Sequence, residues 1–435
     1  MAMIGRTNAF LFGVACLAML LGGCAAPERP QPRPRVLVST DIGGTDPDDN
    51  QSMAHLLMFS DCFETEGLVS SPSFGDGSKE EILCMIDLYE RDLPVLRRRF
   101  PALAEPAALR AVTKQGRRGA APYCGFAGPT EGSEQIVRCA RRMSGSPLYV
   151  LVWGGLEDLA QALHDAPDIE PRIRVYWIGG PNKKWSVNSY LYIVEHHPDL
   201  WMIECNASYR GFIADSRDTS RLHAGYYDHA IRGAGALGAD FEHYYRGVPK
   251  MGDTPSLLYV LSGDPADPAS DSRGGRFEPL AFSPRTIFRR ATTVRDTVAL
   301  YSVVDWRFRG PVLNWPVGTP VLTAEIDRQT WEGYYLGDGE YTLRYVPKAP
   351  AVLTYRIRSE IPGLDGLEGA FTVCGEWPGW RTEDSFALGA HWTTDCADPA
   401  LFRGPWQGFA TVAESRGAEL AAWAERWNVL KTNNE

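Results

Sequence analysis

Short apolar runs alternate with longer amphipathic stretches between residues 35 and 274. The apolar runs are rich in β-branched residues and predict strands, whereas the amphipathic stretches carry apolar residues three or four positions apart and predict helices. Predicted strands span residues 36–40, 66–70, 148–153, 172–178 and 200–205, and predicted helices span 52–59, 79–97 and 156–164. This alternation is typical of βαβ units, so we predict an α/β fold with a mainly parallel sheet flanked by helices. Ligands of such sheets bind beyond the carboxyl ends of the strands.

The pattern changes after Gly274, where short segments alternate apolar and polar residues between Gly and Pro turns. Such segments are typical of antiparallel strands. Strands are predicted at 321–326, 341–345 and 352–357, and helices at 292–304 and 412–430. We therefore expect the α/β domain to span residues 35–310 and a small β-rich C-terminal domain with a terminal helix to span 311–435. No Ser/Gly/Pro-rich linker separates them, so we expect the two domains to pack together.

The first 34 residues have the composition of an export signal and a tether. A short apolar run ends in Leu-Gly-Gly-Cys24, which resembles a bacterial lipobox, so we expect residues 1–24 to be a lipoprotein signal peptide with lipid attached to Cys24. Four prolines in residues 25–34 predict an extended tether. Ala26, rather than Asp, follows at the sorting position, which favours the bacterial outer membrane within the cell envelope. The alternative is an ordinary secretory signal with an unmodified cysteine.

Composition limits the partners of the chain. The sequence has 54 acidic and 44 basic residues and no basic block with interleaved aromatic residues, so nucleic acid is not expected as a partner. Seven cysteines follow Cys24, and none has the spacing of a zinc site. Two pairs, 124 with 139 and 374 with 396, are possible disulfides; the alternative is that these cysteines are small buried apolar residues.

A cluster of carboxylates follows the first predicted strand. Asp41, Asp46, Asp48 and Asp49 lie within nine residues, and glycines between them permit a tight turn. Carboxylates this close raise one another's pKa unless a cation neutralises them, and oxygen ligands suit a hard ion such as Ca²⁺ or Mg²⁺. The alternative is an acidic turn whose charges complement the N-terminus of the next helix.

An apolar strand followed by Asp, Gly, Asp-Asp and a helix resembles the opening signature of the inosine-uridine nucleoside hydrolases. The resemblance implies that Asp41 is both a calcium ligand and the general base. It also implies that Asp48 binds the sugar and that Asp49 binds calcium. The sequence departs from the family pattern at Ser39, where the family usually has another Asp.

Three later segments extend the resemblance to about residue 310. The strand ending at Trp153 is similar to the family strand whose main-chain carbonyl binds calcium, and the Gly-Asp-Thr-Pro-Ser segment implies Asp253 as a late calcium ligand. The Gly-Gly stretch before Asn182 and the downstream Asn188 are similar to the family's sugar-binding pair. Trp185 lies between these asparagines and is a candidate for stacking on a sugar. Together these segments resemble a divergent branch of the superfamily, with a nucleoside-hydrolase-like domain of the cellulose-binding Sde182 type.

The resemblance implies a calcium-dependent hydrolase of glycosyl bonds, an N- or O-glycosidase in which Asp41 activates a metal-bound water. The expected partner is a small sugar, glycoside or oligosaccharide outside the cytoplasm. Gly252 stands where the family often has the histidine that protonates the leaving group, so the acid has to come from elsewhere. Candidates are His223, His229, His243 and Tyr244. The alternative function is a non-catalytic carbohydrate-binding surface lipoprotein that keeps the sugar and metal site.

Overall fold

The computed structural model describes residues 33–44 and 46–431. The predicted signal peptide, Cys24 and most of the proline-rich tether lie outside the described residues. Among the residues that are described, no helix is long and apolar enough to cross a membrane.

The strands and helices are labelled in chain order. The strands are β1 Arg35–Thr40, β2 Glu64–Ser70, β3 Thr113–Gln115, β4 Leu148–Val152, β5 Ile173–Ile178, β6 Met202–Cys205, β7 Phe277–Pro279, β8 Phe282–Ser283, β9 Arg285–Phe288, β10 Thr297–Ala299, β11 Val303–Arg309, β12 Pro320–Ile326, β13 Gln329–Gly337, β14 Glu340–Tyr345, β15 Val352–Ser359, β16 Glu368–Cys374, β17 Phe386–Ala387 and β18 Trp392–Asp395. The α-helices are α1 Asp48–Met58, α2 Lys79–Leu96, α3 Pro106–Ala111, α4 Glu131–Arg141, α5 Glu157–Asp165, α6 Asn182–Trp185, α7 Val187–His196, α8 Gly235–Phe241, α9 Thr254–Ser262 and α10 Phe409–Lys431.

The first sheet has the strand order β3-β2-β1-β4-β5-β6-β18-β7. Every neighbouring pair is parallel except β18 with β7. Helices cover both faces, which is why every residue of β1 and β4 is buried and why both strands are rich in Val and Leu. The predicted α/β class, with a mainly parallel sheet followed by a β-rich region, is confirmed. The order reverses between β1 and β4, and this is the point where sheets of this type bind ligands.

The second sheet has the order β10-β16-β15-β12-β13-β14-β11-β9 and is antiparallel except at its two edge strands. It shares one hydrophobic cluster with the helices on one face of the first sheet, since Trp306 and Trp331 belong to the same cluster as Val150 and Tyr190. The predicted helix at 292–304 is wrong: the segment forms β10 and the start of β11. Its many Thr and Val residues favour strand over helix.

The two sheets do not divide at residue 310, where the sequence places a domain boundary. The antiparallel sheet already includes β9 and β11, and the chain later returns to the first sheet through β18, which pairs with β6. The terminal helix α10 also packs against the first sheet's helices, because its Trp423 contacts His55 and Phe241 and its Arg426 forms an ion pair with Asp61 at 2.8 Å. The last 40 or so described residues therefore complete the parallel layer.

The seven cysteines after residue 33 are free. Neither proposed pair forms a disulfide in the described residues. Cys139 is buried on α4, where its Sγ lies 3.3 Å from the carbonyl oxygen of Glu66, whereas Cys124 is exposed in a loop. Cys374 and Cys396 are both half-buried. The alternative interpretation, small buried apolar residues, therefore holds for Cys139 and Cys205.

Candidate functional site

The crevice between β1 and β4 contains a cavity of about 360 Å³, here called the acidic cavity. The cavity forms where the strand order reverses. Ser39 of β1 pairs with Val152 of β4, and the segments that follow these two strands diverge and leave a crevice between them. Five carboxylates line it: Asp41, Asp46, Asp48, Asp49 and Asp253. Four of the five come from the segment that the sequence singles out, and Asp253 reaches the same cavity from a position more than 200 residues later.

Glycines let the chain turn sharply after β1 and bring Asp41 against the end of β4. The amide of Gly44 donates a hydrogen bond to the Asp41 carbonyl at 3.1 Å, which closes the turn. Gly43 has a φ of +86°, and a β-carbon there would lie 2.7 Å from that of Ser78. A β-carbon at Gly154 would lie 2.7 Å from that of Asp41. Larger residues at these two positions would displace the carboxylate.

Asp48 and Asp49 are the first two residues of α1, and Asp49 is held by the strand before it. The hydroxyl of Thr40 donates a short hydrogen bond to Asp49 Oδ1, and the same hydroxyl oxygen accepts the amide of Ile42 at 3.1 Å. The carboxylate of Asp49 is therefore oriented at the end of β1. Its neighbour Asp48 lies beside Lys250, whose Nζ is 3.9 Å from Asp48 Oδ2 and forms an ion pair with Asp46.

Asp253 precedes α9 but its side chain does not cap that helix. Its backbone is fixed instead: the Ser256 hydroxyl donates to the Asp253 carbonyl at 2.6 Å and accepts the indole N–H of Trp153 at 2.9 Å. This link ties the start of α9 to the end of β4. The carboxylate of Asp253 then faces the cavity, and its Oδ2 is buried without a hydrogen-bond partner among the described residues.

The carboxylates fit a hard cation. One oxygen from each of Asp48, Asp49 and Asp253 lies within 4.8 Å of the other two. Calcium binds oxygen at about 2.3–2.6 Å, so oxygens up to roughly 5 Å apart can share one ion. Trp153 lines the same cavity, and its carbonyl accepts one hydrogen bond, from Asn182 Nδ2 at 2.7 Å, which leaves a lone pair. The sequence predicts Asp41, Asp49 and Asp253 as the calcium ligands. In the structure Asp41 lines the cavity, but the group of three carboxylates contains Asp48 instead of Asp41.

Burial dominates the electrostatics of the cluster. It raises the pKa of Asp41 to about 7, and the charge of Asp48 adds to the effect. Burial also raises the pKa of Asp49 and of Asp253 well above the usual range, with further contributions from the neighbouring carboxylates. The pKa of Asp48 is likewise raised by burial, although Lys250 opposes the shift. A bound divalent cation would reverse these shifts by favouring the charged forms.

Of the predicted sugar-binding residues, the structure brings Asp48, Asn182 and Trp185 to the cavity but not Asn188. Asn182 donates both amide hydrogens to main-chain carbonyls and accepts the Ser73 hydroxyl at 2.6 Å, so only one lone pair of its Oδ1 is free for a ligand. Asn188 instead connects α7 to the second sheet, since its Oδ1 accepts from Arg344 at 2.9 Å. It is buried there and does not line the cavity.

The proposed leaving-group acids also lie elsewhere. None of His223, His229, His243 and Tyr244 lines the acidic cavity. His229 and His243 are exposed, and His223 lies beside Arg416 with its Nε2 2.7 Å from an arginine nitrogen. At Gly252, the position of the family histidine, a side chain would fit only if its neighbours shifted. A β-carbon there would lie 3.2 Å from Asp48 Oδ2 and from the ring of Tyr209.

The sequence analysis missed several residues that line the cavity. They are Ser73, Phe74, Tyr209, Arg210, Ile213, Lys250, Gln329 and Lys348. The first four follow the carboxyl ends of β2 and β6, so the strand-end rule was a usable signal for them. Lys250 shares its segment with Asp253. For Gln329 and Lys348 the sequence holds no signal, because they reach the cavity from the second sheet and its β14–β15 loop.

The comparisons with known proteins agree with the predicted family. Residues 35–277 match the model of the family described as "Cellulose-binding Sde182, nucleoside hydrolase-like domain". A nucleoside hydrolase-related hypothetical protein from Saccharophagus degradans, associated with carbohydrate metabolism, is similar over 79% of this chain and 99% of its own, with 16% identity and a TM-score of 0.48. The inosine-uridine preferring nucleoside hydrolase from Bacillus anthracis is similar over 58% of this chain and 87% of its own, with 16% identity and a TM-score of 0.39.

The comparison with curated proteins returns no match. The family assignment therefore rests on the family model, which covers more than half of the chain and includes β1 to β6 with Asp41, Asp49 and Asp253. This chain belongs to the family of cellulose-binding Sde182-type proteins with a nucleoside hydrolase-like domain.

Proposed function

We propose that this protein is a calcium-dependent hydrolase of glycosyl bonds. One observation carries the proposal: Asp48, Asp49 and Asp253 present oxygens within 4.8 Å of one another, and Asp253 Oδ2 is buried with no hydrogen-bond partner in the described part of the chain. Buried carboxylates without compensation are costly, and a cation would neutralise them. The family description and the sugar chemistry of the similar nucleoside hydrolases support a saccharide or glycoside as the ligand.

The residues have distinct roles in this proposal. Asp48, Asp49, Asp253 and the Trp153 carbonyl would hold the ion, with Asp41 beside them. A bound calcium ion supplies positive charge that orients water and sugar hydroxyls in the cavity. Asp41 accepts a proton from the attacking water as general base. Burial raises the pKa of Asp41 in the metal-free cluster, and a bound cation would keep its carboxylate charged and able to accept that proton. The surrounding carboxylates stabilise the positive charge that develops on the sugar as the glycosyl bond breaks. The leaving group takes its proton from solvent, because no histidine is among the described residues that line the cavity.

Aromatic side chains at the mouth of the cavity support a sugar ligand. The rings of Trp185 and Phe74 lie 5.3 Å apart, and the Phe74 side chain is largely exposed. The Lys348 ammonium lies 5.4 Å from the centre of the Trp185 ring. Apolar ring faces beside polar groups are typical of sites that bind the faces and hydroxyls of sugars.

A second candidate function is carbohydrate binding without catalysis. Two observations favour it: no histidine is among the residues lining the acidic cavity, and a side chain at position 252 would require Asp48 or Tyr209 to shift. In that case the ion and the aromatic rings would position a sugar that is never cleaved.

A panel of nitrophenyl and nucleoside glycosides, assayed in calcium and in chelator, separates the two functions. The hydrolase predicts turnover that chelator abolishes and that Asp49→Ala weakens together with metal binding. The matched control is Asp271→Ala, whose side chain is exposed outside the cavity. Calcium-independent turnover would contradict the proposed mechanism, whereas calcium-dependent binding of sugars without turnover would favour the binding protein.

We also propose, from the sequence, that Cys24 carries a lipid that anchors the protein in the bacterial cell envelope, at the outer membrane. Mass spectrometry of the mature N-terminus tests this. We expect an acylated cysteine as the first residue. An unmodified N-terminus at another position would contradict the proposal.

A further inference from the structure

A second cavity, of about 330 Å³, adjoins the acidic cavity and shares Arg210 and Ile213 with it. Because the two cavities share these lining residues, they are direct neighbours. We call the second cavity the arginine cleft. Its chemistry comes from three arginines, one carboxylate and two aromatic rings, namely Arg210, Arg217, Arg403, Asp215, Trp406 and Phe409.

The arginine cleft is positively charged, in contrast to the acidic cavity. Asp215 is the one carboxylate among its lining residues, and it lies 3.3 Å from Arg217 and 3.7 Å from Arg403. One carboxylate cannot neutralise three guanidinium groups. The side chains of Arg217 and Arg403 are 88% and 52% exposed, so their remaining N–H groups are available to a ligand from solvent.

Arg210 stands at the junction of the two cavities and is held in place by aromatic rings. Its guanidinium carbon lies 5.2 Å from the Tyr209 ring centre and 5.4 Å from that of Trp406. Its Nε is buried without a hydrogen-bond partner in the described chain. A guanidinium fixed by rings presents its N–H groups in a defined direction, which suits a planar or tetrahedral oxyanion.

The aromatic rings of the cleft add an apolar surface. The rings of Trp406 and Phe409 are stacked at 6.0 Å and 22°, and Trp406 is only partly buried. The guanidinium of Arg403 lies 5.0 Å from the Phe409 ring centre. Such a surface accepts the apolar face of a sugar ring while the arginines bind its substituents.

We propose that the arginine cleft binds the next unit of an oligosaccharide whose reacting unit occupies the acidic cavity, and that this next unit carries a carboxylate or a sulfate. This inference rests on the proposed function, because it takes the acidic cavity as the site of the reacting sugar. The junction at Arg210 is the position where an anionic substituent on the neighbouring unit meets a cation. The favoured substrate class is therefore an acidic oligosaccharide rather than a neutral one.

Calorimetric titration of the full protein in calcium tests the inference. The probes are a tetrasaccharide of galacturonic acid, its carboxyl-reduced neutral counterpart, a sulfated form of the neutral tetrasaccharide, and a nucleoside diphosphate. We expect the acidic tetrasaccharide to bind roughly tenfold tighter than its neutral counterpart, since hydrogen bonds to charged groups contribute about that much. In the double variant Arg210→Gln/Arg403→Gln that preference should largely disappear. Arg141→Gln, an exposed arginine that lines neither cavity, is the control.

The outcomes separate this inference from the proposed function. Equal binding of the acidic and neutral tetrasaccharides, or a preference that the double variant retains, overturns the inference even if hydrolysis depends on calcium. Tighter binding of the nucleoside diphosphate than of any oligosaccharide overturns it as well. A preference for the acidic or the sulfated ligand that the double variant loses supports it and identifies the anionic group. If the double variant loses the preference but the wild type shows no calcium-dependent turnover, the arginine cleft is supported as a binding site and the proposed hydrolase activity is contradicted.

Discussion

Two buried aspartates, one in each sheet region, have opposite surroundings. Asp305 lies on β11 of the second sheet with no exposed surface. Arg307 donates to its Oδ1 at 2.8 Å and Thr342 donates to the same oxygen at 2.6 Å, while Arg285 and Arg344 lie close by. Burial alone would raise the pKa of Asp305, but the arginines outweigh it and leave the pKa below its usual value.

Asp253 is equally buried, yet the nearest charges are carboxylates. Burial and the charges of Asp49 and Asp48 raise its pKa well above the usual range, and one of its oxygens has no hydrogen-bond partner in the described residues. The protein thus supplies its own cations for Asp305 and none for Asp253. A buried carboxylate that the fold leaves uncompensated either stays protonated or pairs with a cation from outside. Because three such carboxylates meet in the acidic cavity, the comparison favours a cation there.

The largest effect is expected on catalysis. Asp41→Asn removes the proton acceptor but keeps the size of the side chain, so turnover of a glycoside cleaved by the wild type should fall by about 10²–10⁴-fold, while sugar binding persists. Steady-state kinetics and sugar titration measure the two effects separately. The exposed Asp271→Asn is the control. Turnover that survives Asp41→Asn would remove Asp41 from the mechanism.

Removing the compensated charge of Asp305 should lower the free energy of unfolding. Asp305→Ala leaves Arg285, Arg307 and Arg344 without their common partner, so we expect a loss of about 3–5 kcal/mol in the free energy of unfolding. Urea unfolding measures it, with Asp271→Ala as the exposed control. A loss below about 1 kcal/mol would show that the arginines are stabilised by other contacts.

Calcium should stabilise the protein through the uncompensated cluster. At about 100 times its dissociation constant, calcium is expected to raise the free energy of unfolding by ~2.7 kcal/mol, and chelator should remove the effect. Asp253→Asn should abolish this response, and in chelator it should be at least as stable as the wild type because one of the mutually repelling carboxylates is gone. Thermal unfolding with and without calcium measures both. A wild type that does not respond to calcium would contradict the metal site.

The smallest effect concerns Glu157, a buried carboxylate with no cation assigned to it. Burial raises its pKa to about 8 from 4.5, so the group is neutral in the folded protein at pH 7. Its contribution to stability is complete below about pH 4.5 and is lost as the pH rises through about 8. Glu157→Gln should reduce the loss of stability between pH 5 and 9. Unfolding at several pH values measures this, with exposed Glu134→Gln as the control. An unchanged pH dependence would indicate that Glu157 is charged throughout.

The sequence alone predicts the parallel sheet and the acidic segment after β1. Both are local: a run of β-branched residues reports a strand, and Asp41, Asp48 and Asp49 lie near one another because few residues separate them. The late residue Asp253 was found through the resemblance to a family. Apolar periodicity could not have indicated it, since periodicity reports which face of an element is buried and not which distant element lies opposite.

The tertiary structure decided the rest of the site. It placed Asn188 at the second sheet and the histidines away from the cavity, and it brought Lys348 and Gln329 to the cavity from a sheet that the sequence treats as a separate domain. Parts of the segment 292–304 became strands because β16 pairs with β10, and β14 and β9 pair with β11. Local composition determines which elements form, but packing between distant elements determines which side chains share a cavity, because those contacts depend on how the sheets and helices fit together in three dimensions.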